Sequence, residues 1–110
     1  MEQLKQISLE GARKGIEEYE LYFLYLYGTN CSVCHALLPQ VEDVLEEFPQ
    51  IKREKLNVHE IPEAAGEFSV FTIPVLLLYV EGRESIREAR FVNIESFRSS
   101  IRRITSMLDE

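Results

Sequence analysis

Residues 21–34 read LYFLYLYGTNCSVC and hold the two most informative features of the chain. Every position from 21 to 27 is apolar or aromatic, and Gly28 ends the run. An uninterrupted run of this length is typical of a strand that is covered on both faces of its sheet. We therefore predict a buried strand over residues 21–27, which leads directly into a pair of cysteines.

A helix is predicted from Cys31 to Phe48. Its apolar residues recur at helical spacing and would face the core, namely Leu37, Val41, Val44, Leu45 and Phe48. Acidic residues are expected on the opposite, solvated face, namely Glu42, Asp43, Glu46 and Glu47. Pro39 lies inside this helix and should kink it, because proline has no N–H for the helical ladder.

The rest of the chain completes an alternating pattern. A second buried strand is predicted over residues 75–80, followed by a turn at 81–82 and an antiparallel strand over 84–91. Asn93 is expected to cap the last helix. Weaker patterns predict a strand over 4–9, a helix over 11–20, a strand over 51–58 and a short helix over 62–68. The order is β-α-β-α-β-α-β-β-α in one α/β domain over residues 1–110, with helices packed on a mixed sheet.

Cys31 and Cys34 are the only cysteines in the sequence. A disulfide between them closes a loop too short to stabilise the fold much, so their chemistry is the better reason for their presence. Cys31 begins the predicted helix, where free N–H groups and the helix dipole favour a thiolate, the attacking species in disulfide exchange. Cys34 lies one turn later, within reach of a mixed disulfide formed at Cys31. The pair predicts a dithiol that opens a disulfide of a substrate.

Four motifs, taken together, resemble thioredoxin in their order and spacing. They are CSVC at 31–34, Pro39, KLNV at 55–58 and TIPVLLL at 72–78. The resemblance implies the thioredoxin fold, a central mixed β-sheet flanked by helices, and a thiol–disulfide oxidoreductase with Cys31 and Cys34 as its catalytic residues and redox-active disulfide. It also implies that Pro74 is a cis-proline beside the dithiol and that the backbone of Ile73 pairs with an extended substrate.

The sequence departs from the thioredoxin pattern around the cysteines. Asn30 stands where thioredoxins usually have tryptophan, and Ser-Val replaces Gly-Pro between the cysteines. Tyr25 replaces the buried acid six residues before the first cysteine, and no glycine is evident at residues 91–93. A second interpretation therefore stays open, namely a non-catalytic thioredoxin-like binding module or redox sensor.

Two metal-binding interpretations also remain. Residues 31–35 read CSVCH, which matches the attachment motif of c-type haem, although such proteins are exported and need a second axial ligand. His35 and His59 could instead join the two cysteines at a zinc site, although structural zinc prefers a second pair of closely spaced ligands. We expect neither a metal nor a cofactor.

Charge and composition narrow the classes of partner. The chain has 19 acidic and 12 basic residues, a formal charge of −7, which argues against nucleic-acid binding. The apolar stretch 75–80 is far too short to span a bilayer, and the N-terminal residues do not resemble a signal peptide. We expect a cytoplasmic monomer that exchanges disulfides with disulfide-containing proteins or low-molecular-weight thiols. A thioredoxin reductase is one candidate electron donor.

Overall fold

The computed structural model describes residues 3–109 and confirms the predicted order of elements. The strands are β1 (Lys5–Gln6), β2 (Leu21–Tyr27), β3 (Lys52–Asn57), β4 (Val75–Val80) and β5 (Arg83–Ala89). The helices are α1 (Leu9–Glu18), α2 (Ser32–Glu46), α3 (Pro62–Glu67) and α4 (Ile94–Leu108). None of these helices is long and apolar enough to cross a membrane.

The strands form one mixed sheet in the order β1-β3-β2-β4-β5. The central strand β2 runs parallel to β3 and antiparallel to β4, and all seven of its residues are buried. This burial explains the uninterrupted apolar run, because helices cover both faces of the strand.

Side chains of β2 alternate between two cores, one on each face of the sheet. Phe23 and Tyr25 pack in the core formed with α2 and α4. Tyr22 and Leu24 pack in the second core, to which α1 and α3 contribute. The molecule is therefore a three-layer arrangement of helices, sheet and helices, which is the predicted thioredoxin fold.

The local signals for turns and caps are found where the sequence predicts them. Glu81 and Gly82 connect β4 to β5 with φ of 50° and 81°, the left-handed conformation that a two-residue hairpin turn requires. The Asn93 side chain accepts a hydrogen bond from the Ser96 N–H at 2.9 Å and so caps α4. This turn sets the path of the chain into β5, and the cap sets its path into the last helix.

The prediction that Glu42 lies on the solvated face of α2 is wrong. Its side chain is only 8% exposed, and its Oε2 accepts a hydrogen bond from the Leu4 N–H at 3.1 Å. The N-terminal segment passes over this part of the helix and supplies the amide donor. A buried carboxylate needs such a partner, and helical periodicity alone does not reveal it.

Candidate active site

The two cysteines lie at one edge of the sheet, which we call the dithiol edge. It comprises residues 28–31 after β2, 57–59 at the end of β3, 71–74 before β4 and 89–91 at the end of β5. The parallel strands β2 and β3 end here, β4 starts here, and β5 returns antiparallel to β4. Four segments that are distant in sequence are thereby brought together.

Pairing between β2 and β4 places Pro74 near the cysteines. Leu26 pairs with Val75 in an antiparallel register, so Pro74 lies opposite the last residue of β2. The Ile73–Pro74 peptide bond is cis, Pro74 is buried and Ile73 is half-buried. A Cβ added to Gly28 would lie 2.5 Å from Ile73 Cδ1, so this segment touches the chain three residues before Cys31.

Cys31 and Cys34 are joined in a disulfide, with their Cα atoms 5.2 Å apart. Cys31 is the N-cap of α2 and half-buried, whereas Cys34 is 1% exposed. The Cys34 N–H donates a hydrogen bond to Cys31 Sγ at 3.1 Å, and no acidic residue lies in the first turn of the helix. After reduction, a thiolate at Cys31 would face this N–H and the positive end of the helix dipole.

Tyr25 lies directly beneath the dithiol. Its hydroxyl donates a hydrogen bond to the Cys34 carbonyl at 2.6 Å. Burial raises the pKa of Tyr25 well above its usual range, and the nearby charge of Glu42 raises it further. Tyr25 is therefore a proton-bearing donor at neutral pH and cannot act as a base.

Tyr27, the last residue of β2, packs against Tyr25 on the same face of the sheet. The Tyr27 ring stacks on the Tyr25 ring at a centroid distance of 6.3 Å, and Lys55 Nζ lies 5.3 Å from the Tyr27 centroid. Lys55 therefore contacts an aromatic face.

Thr29 is held by three side chains from the surrounding segments. Its N–H donates to His59 Nδ1 at 3.1 Å, and its hydroxyl accepts from Asn57 Nδ2 at 3.1 Å. His35 Nε2 lies 3.4 Å from the Thr29 carbonyl oxygen. These contacts fix the loop that leads into Cys31.

Sequence reasoning missed Asn57 and Thr29, which lie 28 residues apart. The parallel pairing of β2 with β3, in which Tyr27 faces Asn57, is the signal that could have revealed their contact. Asn57 also accepts the His59 N–H at 2.8 Å, so a single amide side chain supports two parts of the edge.

Comparisons with known proteins agree with this geometry. A family model described as Thioredoxin matches residues 8–103. The chain belongs to the thioredoxin family. It is 44% identical over 97 residues to thioredoxin-like protein YdfQ of Bacillus subtilis, covering 88% of this chain and 87% of that protein. It is 33% identical over 69 residues to thioredoxin-1 of Saccharomyces cerevisiae, covering 63% and 67%.

A solved structure supports the same fold. The crystal structure of thioredoxin from Trypanosoma brucei brucei matches with a TM-score of 0.84 at 20% sequence identity, covering 94% of this chain and 92% of that one. Family membership and the disulfide-forming Cys31–Cys34 pair together support thiol–disulfide oxidoreductase activity. The protein is accordingly a thioredoxin-like enzyme of that class.

The side chains of the metal-binding interpretations have other partners in this structure. Within residues 3–109, no group of three or more Cys, His, Asp or Glu side chains is placed to hold a metal ion. The two sulfurs are bonded to each other, and the His59 ring accepts the Thr29 N–H.

Proposed function

We propose that the protein reduces disulfides of partner proteins or of low-molecular-weight thiols through Cys31 and Cys34. The observation that carries the proposal is the asymmetry of the pair at the start of α2. Cys31 is the more exposed sulfur and faces the Cys34 N–H, whereas Cys34 is buried behind it. This asymmetry favours Cys31 as the attacking thiolate and Cys34 as the resolving thiol.

The reaction then has two exchange steps. The Cys31 thiolate attacks one sulfur of the partner disulfide, forms a mixed disulfide and releases the other sulfur as a thiolate, which takes a proton from water. Cys34 loses its proton and attacks Cys31 Sγ, so the bond to the partner breaks and the Cys31–Cys34 disulfide forms. Two electrons pass from the dithiol to the partner, which leaves with two thiols.

The absence of a carboxylate at position 25 shapes the second step. Tyr25 keeps its own proton and uses it in a hydrogen bond to the Cys34 carbonyl, so it cannot take the proton of the Cys34 thiol. We propose that water accepts that proton.

We further propose that Ile73 and Pro74 bind the partner. Within residues 3–109, the backbone N–H and carbonyl of Ile73 have no hydrogen-bond partner, so they are free to pair with an extended segment. Replacing Pro74 with Ala should slow exchange with a protein disulfide while the far-ultraviolet circular dichroism stays native. Unchanged exchange kinetics in this variant would remove Pro74 from the binding site.

The wider setting of the reaction is also a proposal. One continuous sheet from Lys5 to Ala89 supports a single domain over residues 1–110, which we propose acts as a monomer in the cytoplasm. A thioredoxin reductase or a small thiol would return the disulfide to the dithiol. Light scattering on the purified protein tests the monomeric state, because a dimer would have twice the molecular mass.

Reduction of insulin by dithiothreitol tests the proposed activity directly. The protein should accelerate insulin precipitation above the rate with dithiothreitol alone, whereas Cys31→Ser and Cys34→Ser should both fall to that background rate. A wild-type protein that does not exceed the background would contradict the proposal. A Cys34→Ser variant with the full rate would contradict the two-step mechanism.

A further inference from the structure

A groove of about 580 Å³ lies beside the segment that precedes β4. Phe71 and Thr72 line one side, and Ala89 and Arg90 line the other. Val75 pairs with Ala89 in the β4–β5 register, so the chain at Arg90 runs beside Pro74. The groove therefore continues the dithiol edge away from the cysteines.

Sheet geometry gives the separation of the strand ends along the dithiol edge. Val75 pairs with Leu26 on one side and with Ala89 on the other. The ends of β2 and β5 are thus two strand spacings apart, about 10 Å. An extended segment advances about 3.3 Å per residue, so about three residues of a partner span the distance from the end of β2 to the end of β5.

The backbone at Arg90 has an unfavourable conformation. The Phe91 N–H donates to the Ala89 carbonyl at 2.8 Å across Arg90, whose φ is 64°. This is a γ-turn with a left-handed central residue, a strained arrangement for any residue with a Cβ. Ser69, with φ of 54°, lines the same groove. Strain of this kind concentrates at functional sites.

The charged side chains that line the groove are both arginines. Although the chain carries a formal charge of −7, no acidic side chain among residues 3–109 lines the groove. Arg87 is engaged by Glu84 and by the Phe68 carbonyl, at 2.8 and 2.7 Å. The Arg90 guanidinium is exposed and has no ion pair or hydrogen bond within the described chain. It is the cation that remains available to a partner.

Exposed aromatic rings accompany this cation. Phe71 is 94% exposed and lines the groove, and Phe91 is 91% exposed and follows Arg90 directly. Both rings expose apolar surface at this end of the sheet. The occupant that fits is an extended segment that carries negative charge and some apolar surface.

We propose that this groove selects protein partners with an acidic residue within about three positions of the cysteine that Cys31 attacks. The carboxylate would pair with Arg90, and neighbouring apolar atoms would contact Phe71. The inference rests on the proposed function, because it assumes a mixed disulfide at Cys31.

Two synthetic peptides with one disulfide each test the inference. They differ only in having Glu or Gln three residues from the target cysteine, and each is mixed with pre-reduced protein freed of other thiols. The wild type should reduce the Glu peptide about three to five times faster, as expected for one exposed ion pair. This preference should shrink at about 1 M salt, where the Debye length is about 3 Å.

Charge variants separate Arg90 from the protein's general field. Arg90→Gln should reduce both peptides at the rate that the wild type shows for the Gln peptide, whereas Arg90→Lys should keep most of the preference. Arg83→Gln is the matched control, because Arg83 is also exposed but begins β5, whereas Arg90 follows the other end of that strand. That control should keep the full preference.

The outcomes separate this inference from the proposed function. Equal rates for the two peptides with the wild type would overturn the inference and leave the proposed function intact. A preference that persists in Arg90→Gln would also overturn it. If neither peptide were reduced, the proposed function would fail and the inference with it.

Discussion

In the middle of the sheet, β2 and β4 pair through six consecutive residue pairs and bury nearly every side chain, whereas at the dithiol edge the same strands give way to loops. The edge holds the half-buried Cys31, the strained Arg90 and the exposed Phe71. The middle supplies stability and the edge supplies reactive and unpaired groups. Substitutions in the two regions should therefore affect different properties.

The largest contrast is expected between two phenylalanines. Phe97 is fully buried, with its ring centroid 5.6 Å from that of Phe23, so Phe97→Ala should lower the free energy of unfolding by about 3–5 kcal/mol. Phe71→Ala should change it by less than about 0.5 kcal/mol and instead slow exchange with protein disulfides. Urea denaturation and insulin reduction measure the two effects. A destabilisation at Phe71 as large as that at Phe97 would erase the distinction between the regions.

A pair of glycines outside the strands sharpens the comparison. A Cβ at Gly28 would clash with the His59 ring and with Ile73 Cδ1, so Gly28→Ala should destabilise the protein by about 1–3 kcal/mol and disturb exchange. Gly66 in α3 has open space around it, and Gly66→Ala should stabilise by up to about 1 kcal/mol. Thermal unfolding of both variants measures this. A Gly28→Ala variant with unchanged stability would show that Gly28 is not tightly packed against His59 and Ile73.

Alkaline pH should weaken the middle of the sheet. Burial raises the pKa of Tyr79 to about 12, and the charge of Glu84 raises it in the same direction. Between pH 10 and 12 the unfolded chain releases a proton that folded Tyr79 retains, so stability is complete below pH 10 and falls as the pH rises.

The variant Tyr79→Phe isolates this effect. Near pH 8 the variant and the wild type should have matching free energies of unfolding. At pH 12 the free energy of unfolding of the variant should be higher by about 1–2 kcal/mol, after allowance for solvent screening. Urea denaturation of the oxidised protein at both pH values measures the difference. If both proteins lost the same free energy of unfolding between pH 8 and pH 12, Tyr79 would have the same pKa in the folded and unfolded states.

The smallest effect is expected where the two regions meet. Tyr25→Phe removes the hydrogen bond to the Cys34 carbonyl and should lower the free energy of unfolding by about 1 kcal/mol. The pH dependence of the exchange rate should not change, because Tyr25 accepts no proton in the mechanism. A shift of that pH profile would assign proton transfer to Tyr25.

The same contrast explains which features could be predicted from the sequence. The strand at 21–27, the helix that follows it and the cysteine pair are local patterns, and the structure places all three as predicted. The burial of Glu42 could not be predicted, because its partner Leu4 lies 38 residues away. The γ-turn at Arg90 has no sequence signal, because arginine is not a residue that favours a left-handed conformation.

Trapping of a mixed disulfide tests the central claim, that Cys31 attacks and Cys34 resolves. In Cys34→Ser the hydroxyl stays protonated near neutral pH and cannot displace the partner's sulfur. Reduced Cys34→Ser mixed with insulin should therefore accumulate a covalent adduct on non-reducing gels, which dithiothreitol dissolves, whereas Cys31→Ser should form none. Adducts from Cys31→Ser alone, equal adducts from both variants or adducts from neither would contradict this account.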